Sequence, residues 1–409
     1  MIGRGLAGAA AVALLAAAPA HAAGAYGKLA FGTSTGITVV AGDLAAPPTL
    51  ALPDAQQPAW SPDGVRLAFA RRNPADGLGI AGADGSAPVR LTSTPAATSA
   101  AEAAAPGFFG DLTPRWSPDA SHLAFVRATL RTSEIWTVAA DGTDAHRLLA
   151  ATGADRIDAD PHYLADGSRI RFTRDDSDLW DVRPDGAHLR RVVAAGGLDV
   201  VSAPDGSAYA VAGGGPVYAM DYTGGGLRRV AGAGREPLAF SADGAHLLTG
   251  VLNSVTAPGA VIDLAGHGRT HPVAPTEQGL TGSGFGAPSW WTPAPRQPFR
   301  AADDREAPES VVSGAGGRLV ALRRENPHTI TGALETTLLT VDQTGIRSIS
   351  VAWVRGKERP RWHDVTKPGA FGNTVPLLRP ATYRLLVRST DVLGHTTKRP
   401  AEVIVKLRP

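Results

Sequence analysis

The chain of 409 residues contains no cysteine. This absence excludes disulfide bonds, thiolate metal ligands, cysteine nucleophiles and anchoring through a lipid-modified cysteine. Because oxidising and reducing compartments are told apart mainly by cysteine usage, the sequence carries no redox signal about where the protein works. The fold must be stabilised by packing, hydrogen bonds and ion pairs alone.

Long apolar runs are also missing, with one exception at the amino terminus. Residues 1–22 contain an early arginine, Arg4, an apolar stretch from Leu6 to Ala18, and the small-x-small sequence Ala20-His21-Ala22. This order is typical of a secretory signal peptide. The alternative is a retained membrane anchor, but the stretch is shorter than the about 20 residues that a spanning helix needs. We therefore expect a secreted, periplasmic or cell-envelope protein with no transmembrane segment after cleavage.

Signatures of bound ions and nucleic acid are scarce. The eleven histidines are scattered along the chain and lack the spacing of a zinc site. No Asp-x-Asp-x-Asp-Gly loop of the calcium type occurs. The arginines alternate along predicted strands instead of clustering with stacked aromatics, so nucleic acid is not an expected partner. No catalytic residue, metal or cofactor is assigned.

What the sequence does contain is a repeat. Residues 58–64 read Pro-Ala-Trp-Ser-Pro-Asp-Gly, and residues 114–119 read Pro-Arg-Trp-Ser-Pro-Asp. Five copies are present, with the aromatic residue or its replacement at Trp60, Trp116, Tyr163, Ser202 and Phe240. The steps between them are 56, 47, 39 and 38 residues, and a period near 40 is typical of propeller blades.

The two longer steps indicate insertions, at residues 94–111 and 150–160. The first insertion places Phe108 and Phe109 on a loop. These aromatic side chains either pack beneath the loop as a small cluster or form a tip that contacts a partner.

The chemistry of the repeat predicts strands joined by tight turns. In Ser-Pro-Asp-Gly, proline presets φ, aspartate bonds its own backbone, and glycine accepts a positive φ. An alternating run follows, as in Leu67 and Phe69, and a third strand follows that, as in residues 134–138. A second Asp-Gly turn and a short basic strand complete the unit, and four antiparallel strands make a propeller blade.

These motifs resemble the WD40-like repeat, also called PD40, of TolB-like propellers. The resemblance covers roughly residues 27–293, within a predicted propeller domain of residues 23–293, and implies six blades, five from the internal repeats and one shared between the two ends. Strand candidates in residues 28–52 lack a first strand, and residues 288–293 supply one, so their pairing would close the ring. Seven blades remain open, because residues 251–287 are loosely patterned. The resemblance also implies a binding role in the cell envelope.

A candidate binding site lies just before the first strand of each blade, where propeller loops meet the central channel. Carboxylates there suit a cation or a basic peptide, and the alternative is that they are ordinary solvated acids of surface loops. His162 is also a candidate, because its position in the repeat predicts that it lies near the mouth of the central channel. The candidates are Asp54, Asp111, Asp158, Asp160, His162, Asp199 and Glu236.

Residues 294–306 read as a proline-rich linker, and residues 307–409 as a second, all-β domain. Residues 383–395 resemble the closing segment of bacterial immunoglobulin-like or fibronectin-like modules, which implies a β-sandwich. Residues 300–409 hold 18 Lys or Arg against 11 Asp or Glu, which leaves 22 against 27 for the rest. The basic surface either keeps the module soluble or contacts anionic wall polymer or lipid headgroups.

The sequence thus predicts an all-β protein, a six-bladed propeller of four-stranded antiparallel blades followed by a β-sandwich. The predicted function is that of an exported, monomeric, non-catalytic binding protein for an envelope protein or a cell-wall polymer. Two alternatives stay open. One is an enzyme acting on polysaccharide, which needs two carboxyl groups about 5–10 Å apart among Asp111, Asp158 and Asp160. The other is a surface adhesin in which the second domain is a spacer.

Overall fold

The computed structural model describes the greater part of the chain from residue 27 onward. The described residues are 27–33, 35–41, 49–71, 77–93, 110–128, 132–149, 157–174, 178–194, 199–203, 208–212, 216–221, 228–232, 234–251, 260–264, 270–272, 289–291, 309–312, 320–326, 329–331, 338–341, 345–367 and 381–408. All regular structure in them is β-strand, and none of them forms a helix that is long and apolar enough to cross a membrane. The predicted signal peptide and the predicted linker lie outside these ranges.

The first 24 strands form six antiparallel blades of four strands each; five are separate four-stranded sheets, and the blade β12–β15 is part of a six-stranded sheet. Their bounds are β1 Lys28–Gly32, β2 Gly36–Ala41, β3 Thr49–Pro53, β4 Ala55–Trp60, β5 Arg66–Arg71, β6 Leu78–Gly82, β7 Val89–Arg90, β8 Gly110–Trp116, β9 His122–Ala128, β10 Ser133–Ala139, β11 His146–Arg147, β12 Asp158–Tyr163, β13 Ile170–Arg174, β14 Asp178–Val182, β15 Arg190–Ala194, β16 Asp199–Ser202, β17 Ala208–Ala212, β18 Val217–Asp221, β19 Arg228–Ala231, β20 Arg235–Phe240, β21 His246–Val251, β22 Ala260–Asp263, β23 Thr270–Pro272 and β24 Ser289–Trp291. Blade one has the order β24-β1-β2-β3, and blades two to six are β4–β7, β8–β11, β12–β15, β16–β19 and β20–β23. The all-β class and the four-stranded antiparallel blade are confirmed.

The repeated turn has the geometry that its residues predict. In blade two, the Ser61 hydroxyl donates to the Asp63 carboxylate and accepts from the backbone N–H of Arg66 at 2.9 Å. Gly64 closes the turn with φ +70°. In blade three, hydrogen bonds from Ser117 and Ser121 lower the pKa of Asp119 to about 2. Asp63 and Asp119 therefore accept hydrogen bonds within their own turns and stabilise them.

The blades are arranged in a ring, because a buried apolar cluster lies between each sheet and the next. Four of these clusters join blades two to six in chain order, and another joins blade one to blade two. The last contains Leu29 and Phe31 of blade one with Leu238 and Leu248 of blade six. The first strands, β4, β8 and β12 among them, contact one another from blade to blade and are therefore innermost.

Blade one joins the two ends of the propeller. β1 pairs antiparallel with β24, with Leu29 opposite Trp290 and Ala30 opposite Ser289. Trp290 is buried, and the Ser289 hydroxyl accepts a hydrogen bond from the Trp60 N–H at 3.0 Å. The amino-terminal and carboxy-terminal strands therefore belong to one sheet.

The remaining strands belong to the carboxy-terminal module. They are β25 Glu309–Val312, β26 Val320–Asn326, β27 Thr329–Thr331, β28 Leu338–Val341, β29 Ile346–Val354, β30 His363–Asp364, β31 Ala381–Asp391 and β32 Ala401–Arg408. Six of them form a sheet in the order β27-β26-β32-β31-β29-β30, in which β26 and β32 are parallel. Its core includes Val351, Leu385 and Val403. The module is all-β, and its likeness to immunoglobulin-like modules stays a prediction.

The module is joined to blade four through a continuous sheet. β28 pairs antiparallel with the outer strand β15, with Val193 opposite Val341, and β25 pairs with β28 in turn. The Arg191 guanidinium donates to the Thr366 carbonyl at 2.8 Å, and Ala194 is part of the module's core. Strands from both sides of the composition change near residue 294 therefore belong to one sheet.

Candidate functional site

The innermost strands of blades two, three and four share an irregularity. The pairing register shifts between Gln56 and Ala59, between Leu112 and Arg115, and between Ala159 and His162. Each bulge is an X-Pro pair, and its first residue has positive φ: 53° at Gln57, 47° at Thr113 and 49° at Asp160. A proline suits a bulge because it has no N–H to pair. Backbone in the left-handed region costs about 1–3 kcal/mol per residue and is found disproportionately at ligand sites.

The bulges bring polar groups of neighbouring blades together. The Gln57 side-chain carbonyl accepts a hydrogen bond from the Thr113 N–H at 2.9 Å, across the boundary between blades two and three. The Arg115 guanidinium donates to the Pro114 carbonyl at 2.9 Å. The Thr113 hydroxyl oxygen is buried and has no hydrogen-bond partner among the described residues. A buried hydroxyl in this state is ready to bond a water molecule or a ligand.

Arg115 and Asp160 form an electrostatic pair across blades three and four. Asp160 is exposed to water, yet the surrounding protein raises its pKa by removing bulk solvent, while Arg115 opposes that rise. Burial likewise lowers the pKa of Arg115, and Asp160 counteracts this. A side chain that contacts water while protein encloses it is what the wall of a solvent-filled channel requires. The two charges are close and of opposite sign.

His162 of blade four contacts Ser202 of blade five. Its Nε2 lies 2.8 Å from the Ser202 hydroxyl, and its Nδ1 lies 3.4 Å from the Asp160 carbonyl. Burial lowers the pKa of His162 to about 3, and the positive charge of Arg171 adds to the effect. The imidazole is therefore neutral at physiological pH and acts as a hydrogen-bonding group.

The depressed pKa makes His162 a source of acid sensitivity. In the unfolded chain a histidine gains its proton near pH 6.5, whereas the folded protein does not bind it until about pH 3. Stability is fully present above pH 6.5 and falls as the pH drops below it, by up to about 1.4 kcal/mol per pH unit. Between pH 7 and about pH 4.5, we expect the free energy of unfolding to fall by about 2 kcal/mol less in His162→Gln than in the wild type.

Urea unfolding at the two pH values measures this difference. His146→Gln is the matched control, since the His146 side chain is 50% exposed on the outer strand β11, and the variant should follow the wild-type curve. Equal acid sensitivity in His162→Gln and the wild type would show that His162 is solvated in the folded protein.

Two of the predicted channel-mouth acids are committed to the blades themselves. Asp111 is fully buried and receives two bonds from Arg127, at 2.7 and 2.9 Å. Asp158 is also fully buried, and Arg174 donates to its two oxygens at 2.7 and 3.1 Å. The sequence placed both before the first strand, but β8 and β12 include them. In the register each carboxylate stands opposite its arginine on the second strand.

The same arginines are stacked on aromatic rings within their blades. Arg127 lies 4.2 Å from the centroid of Trp136, and Arg174 lies 4.9 Å from that of Trp180. A buried guanidinium held between a carboxylate and an aromatic face is a structural clamp. Asp111 and Asp158 therefore do not supply the pair of free carboxyl groups that the polysaccharide-enzyme alternative needs.

The other predicted residues do not form one carboxylate ring. Asp54 is exposed, with φ 53°, at the crossing from β3 to β4. Glu236 is half-buried on β20 and precedes Pro237. Asp199 begins β16 opposite Ala212, and its side chain is not described. Phe108 and Phe109 lie outside the described residues.

Four residues of the site were not predicted from the sequence: Gln57, Thr113, Arg115 and Ser202. A signal for them exists, because an X-Pro pair precedes the aromatic position at residues 57, 113, 160 and 236. Together with Asp160 and His162 they form what we call the inner polar set: Gln57, Thr113, Arg115, Asp160, His162 and Ser202.

Two chemical signatures can be checked against the geometry. Residues 32–36 read Gly-Thr-Ser-Thr-Gly, which matches the Gly-x-Ser-x-Gly pattern of serine hydrolases. In this fold they join β1 to β2, whereas the hydrolase pattern requires a strand-to-helix turn. Within the described ranges, no group of three or more His, Asp or Glu side chains is arranged to hold a metal ion.

Comparison with known proteins identifies likeness of fold. No family model and no curated protein matches the sequence. TolB from Acinetobacter baumannii is 19% identical over 66% of this chain and 67% of that chain, with a TM-score of 0.48. A putative TolB from Agrobacterium tumefaciens is 16% identical over 65% of this chain and 93% of that chain, with a TM-score of 0.46. An oligogalacturonate lyase in complex with manganese is 17% identical over 62% and 75%, with a TM-score of 0.40.

Proposed function

We propose that the protein is an exported, non-catalytic binding protein that holds part of an envelope protein or a cell-wall polymer against the inner polar set. The observation that carries the proposal is the repeated bulge. Three consecutive blades present the same backbone, but the side chain at the first bulge position is Gln57, Thr113 or Asp160. A constant scaffold with different polar groups suits recognition of one extended, non-repeating ligand.

The scaffold is rigid, which favours binding. The inner strands are paired along their length, and each bulge is bounded by register contacts on both sides. A ligand that meets fixed groups loses less free energy to the ordering of side chains. The unpartnered Thr113 hydroxyl and the strained φ values are the kind of cost that a fold retains at a functional site.

The chemistry of the set favours a ligand that both donates and accepts hydrogen bonds. Arg115 offers donors, Asp160 offers acceptors, and the neutral His162 with Ser202 offers one of each. Backbone amides and the hydroxyl and amide groups of a wall polymer fit this mixture. A purely basic ligand would be repelled by Arg115, and a purely acidic ligand would be repelled by Asp160.

The test is chemical crosslinking of the full-length mature chain to an envelope extract, with the captured material identified by mass spectrometry. We expect one partner to be enriched, and Asp160→Asn to lower its capture by about fivefold to tenfold, as for the loss of a hydrogen bond to a charged group. Asp144→Asn is the matched control. Asp144 is also an exposed aspartate with positive φ (55° against 49° for Asp160), but it lies in an outer turn.

Equal capture by the wild type and Asp160→Asn would place binding elsewhere on the molecule. Turnover of a wall polysaccharide by the wild type, lost in Asp160→Asn, would overturn the non-catalytic assignment.

A further inference from the structure

An exposed apolar tip stands out on the carboxy-terminal module. Val392 is 48% exposed and Leu393 is 59% exposed, and they occupy the turn that follows β31. Turn positions are usually filled by polar residues or glycine. Two adjacent exposed aliphatic side chains at a tip therefore call for a functional explanation.

The tip is held in a fixed conformation. The buried Asp391 carboxylate accepts from the His395 N–H at 2.8 Å and lies 2.7 Å from the His395 ring nitrogen. The Asp391 N–H bonds the His395 carbonyl at 3.1 Å, and Gly394 takes φ +97°. Val392 and Leu393 are thus presented by a closed turn, which reduces the entropy lost when they are buried in a contact.

This tip borders blade four. The Val392 N–H donates to the Gly345 carbonyl at 2.9 Å. Gly345 in turn lies against Arg190, so closely that a β-carbon at position 345 would lie 3.2 Å from the Arg190 Cβ. Leu189, the residue before Arg190, is 39% exposed. Exposed apolar groups of both parts of the molecule therefore lie on either side of this contact.

The same end of blade four carries four arginines. Arg169, Arg171 and Arg190 act on one buried carboxylate, Asp181, while Arg183 acts on Arg169, and the Arg169 guanidinium donates to the His188 carbonyl at 3.2 Å. Burial lowers the pKa of Arg169, the positive charges of Arg190, Arg183 and Arg171 lower it further, and Asp181 opposes them in part. Arginines that repel one another in this way are stabilised by an anion placed among them.

We propose that this surface docks the protein on an anionic lipid bilayer. We call it the junction patch and define it as Leu189, Val392 and Leu393 with Arg169, Arg183 and Arg190. An apolar tip that enters the boundary between headgroups and acyl chains, flanked by cations at headgroup level, is the chemistry of peripheral membrane contact. An anionic polymer would use the arginines and leave Val392 and Leu393 in water, so the tip favours lipid.

The test is cosedimentation of the mature full-length protein with vesicles of phosphatidylglycerol and phosphatidylcholine in equal parts, and with vesicles of phosphatidylcholine alone. We expect binding to the anionic vesicles that weakens as salt rises from about 0.1 M to about 0.5 M, because screening shortens the reach of exposed charges. Val392→Ser with Leu393→Ser should weaken it at least tenfold. Arg183→Gln should weaken it about fivefold.

Matched controls lie elsewhere on the chain. Val65→Ser removes an aliphatic side chain that is 59% exposed in blade two. Arg355→Gln removes an exposed arginine just past the far end of β29, about 30 Å from Gly345 at ~3.3 Å per residue. Both should bind as the wild type does.

Each other outcome overturns the proposal. Equal binding to both kinds of vesicle, or none to either, excludes an anionic bilayer as the ligand. Loss of binding in Arg183→Gln with no effect of the double serine variant would indicate a polyanion, which polyphosphate competition would then identify.

Discussion

Asp181→Asn should be among the most destabilising single changes in the propeller, at about 3–5 kcal/mol, because it leaves buried arginines without their counter-charge. Asp181 is fully buried, and Arg171 donates to its two oxygens at 2.7 and 3.1 Å while Arg190 lies 3.4 Å away. Burial alone would raise the pKa of Asp181, but Arg171, with Arg190 and Arg169, outweighs burial and lowers it. Urea unfolding followed by tryptophan fluorescence measures the loss.

Two further variants make the result interpretable. Asp185→Asn changes an exposed carboxylate in the adjacent turn, which accepts a hydrogen bond from the Ala187 N–H at 2.9 Å, and should cost less than about 1 kcal/mol. Arg171→Met combined with Asp181→Leu removes both charges of the closest pair and should recover part of the loss, since apolar replacements of buried ion pairs are often neutral; Arg190 and Arg169 still lose Asp181 as a counter-charge. A loss below about 1 kcal/mol in Asp181→Asn would mean that water reaches the arginines.

Trp290→Ala should open the joint between the two ends of the propeller. Trp290 is buried in the cluster that contains Leu29, Phe31 and Leu248, and truncation of a buried tryptophan costs about 3–5 kcal/mol. The neighbouring strand should be affected most, because β24 is short and, among the described strands, pairs with β1 alone. We expect the amides of β1 to exchange with deuterium at least tenfold faster in the variant.

Trp362→Ala is the matched control for this prediction. Trp362 packs beside Ala352 in the carboxy-terminal module, beneath the Arg388 guanidinium at 4.3 Å, and lies outside the ring. Its truncation should leave exchange in β1 unchanged. If β1 is equally protected in Trp290→Ala and the wild type, the joint is held by backbone pairing and not by the tryptophan.

The fold was predictable because its signals are local. The alternation of Leu67 and Phe69, and the Ser-Pro-Asp-Gly turns beside such runs, depend on residues a few positions apart. Residues 134–138, predicted as the third strand of a repeat, lie within β10, Ser133–Ala139. The pairing of β15 with β28 was not predictable, because it joins residues 148 positions apart, Val193 and Val341, and no local pattern encodes such a partner.

Local sequence signals led to some members of the inner polar set and not to others. Asp160 and His162 were proposed from their place near the first strand, and they belong to the inner polar set. Asp111 and Asp158 were misread as open acids because their partners stand on the next strand, 16 residues later in both blades. That constant spacing, Asp111 to Arg127 and Asp158 to Arg174, was a usable signal. Blade two keeps Arg71 at this spacing with Ala55 in place of the acid.

Because β28 and β25 extend the sheet of β15, the sheet of blade four is completed only after the carboxy-terminal module has been synthesised. A ribosome finishes blade four long before it makes Val341, so the nascent chain carries β15 as a bare sheet edge during the synthesis of blades five and six. Such an edge can pair with a strand of another molecule. A chain cut at residue 295 would keep that edge permanently, and self-association, not loss of blade structure, is the defect to expect from it.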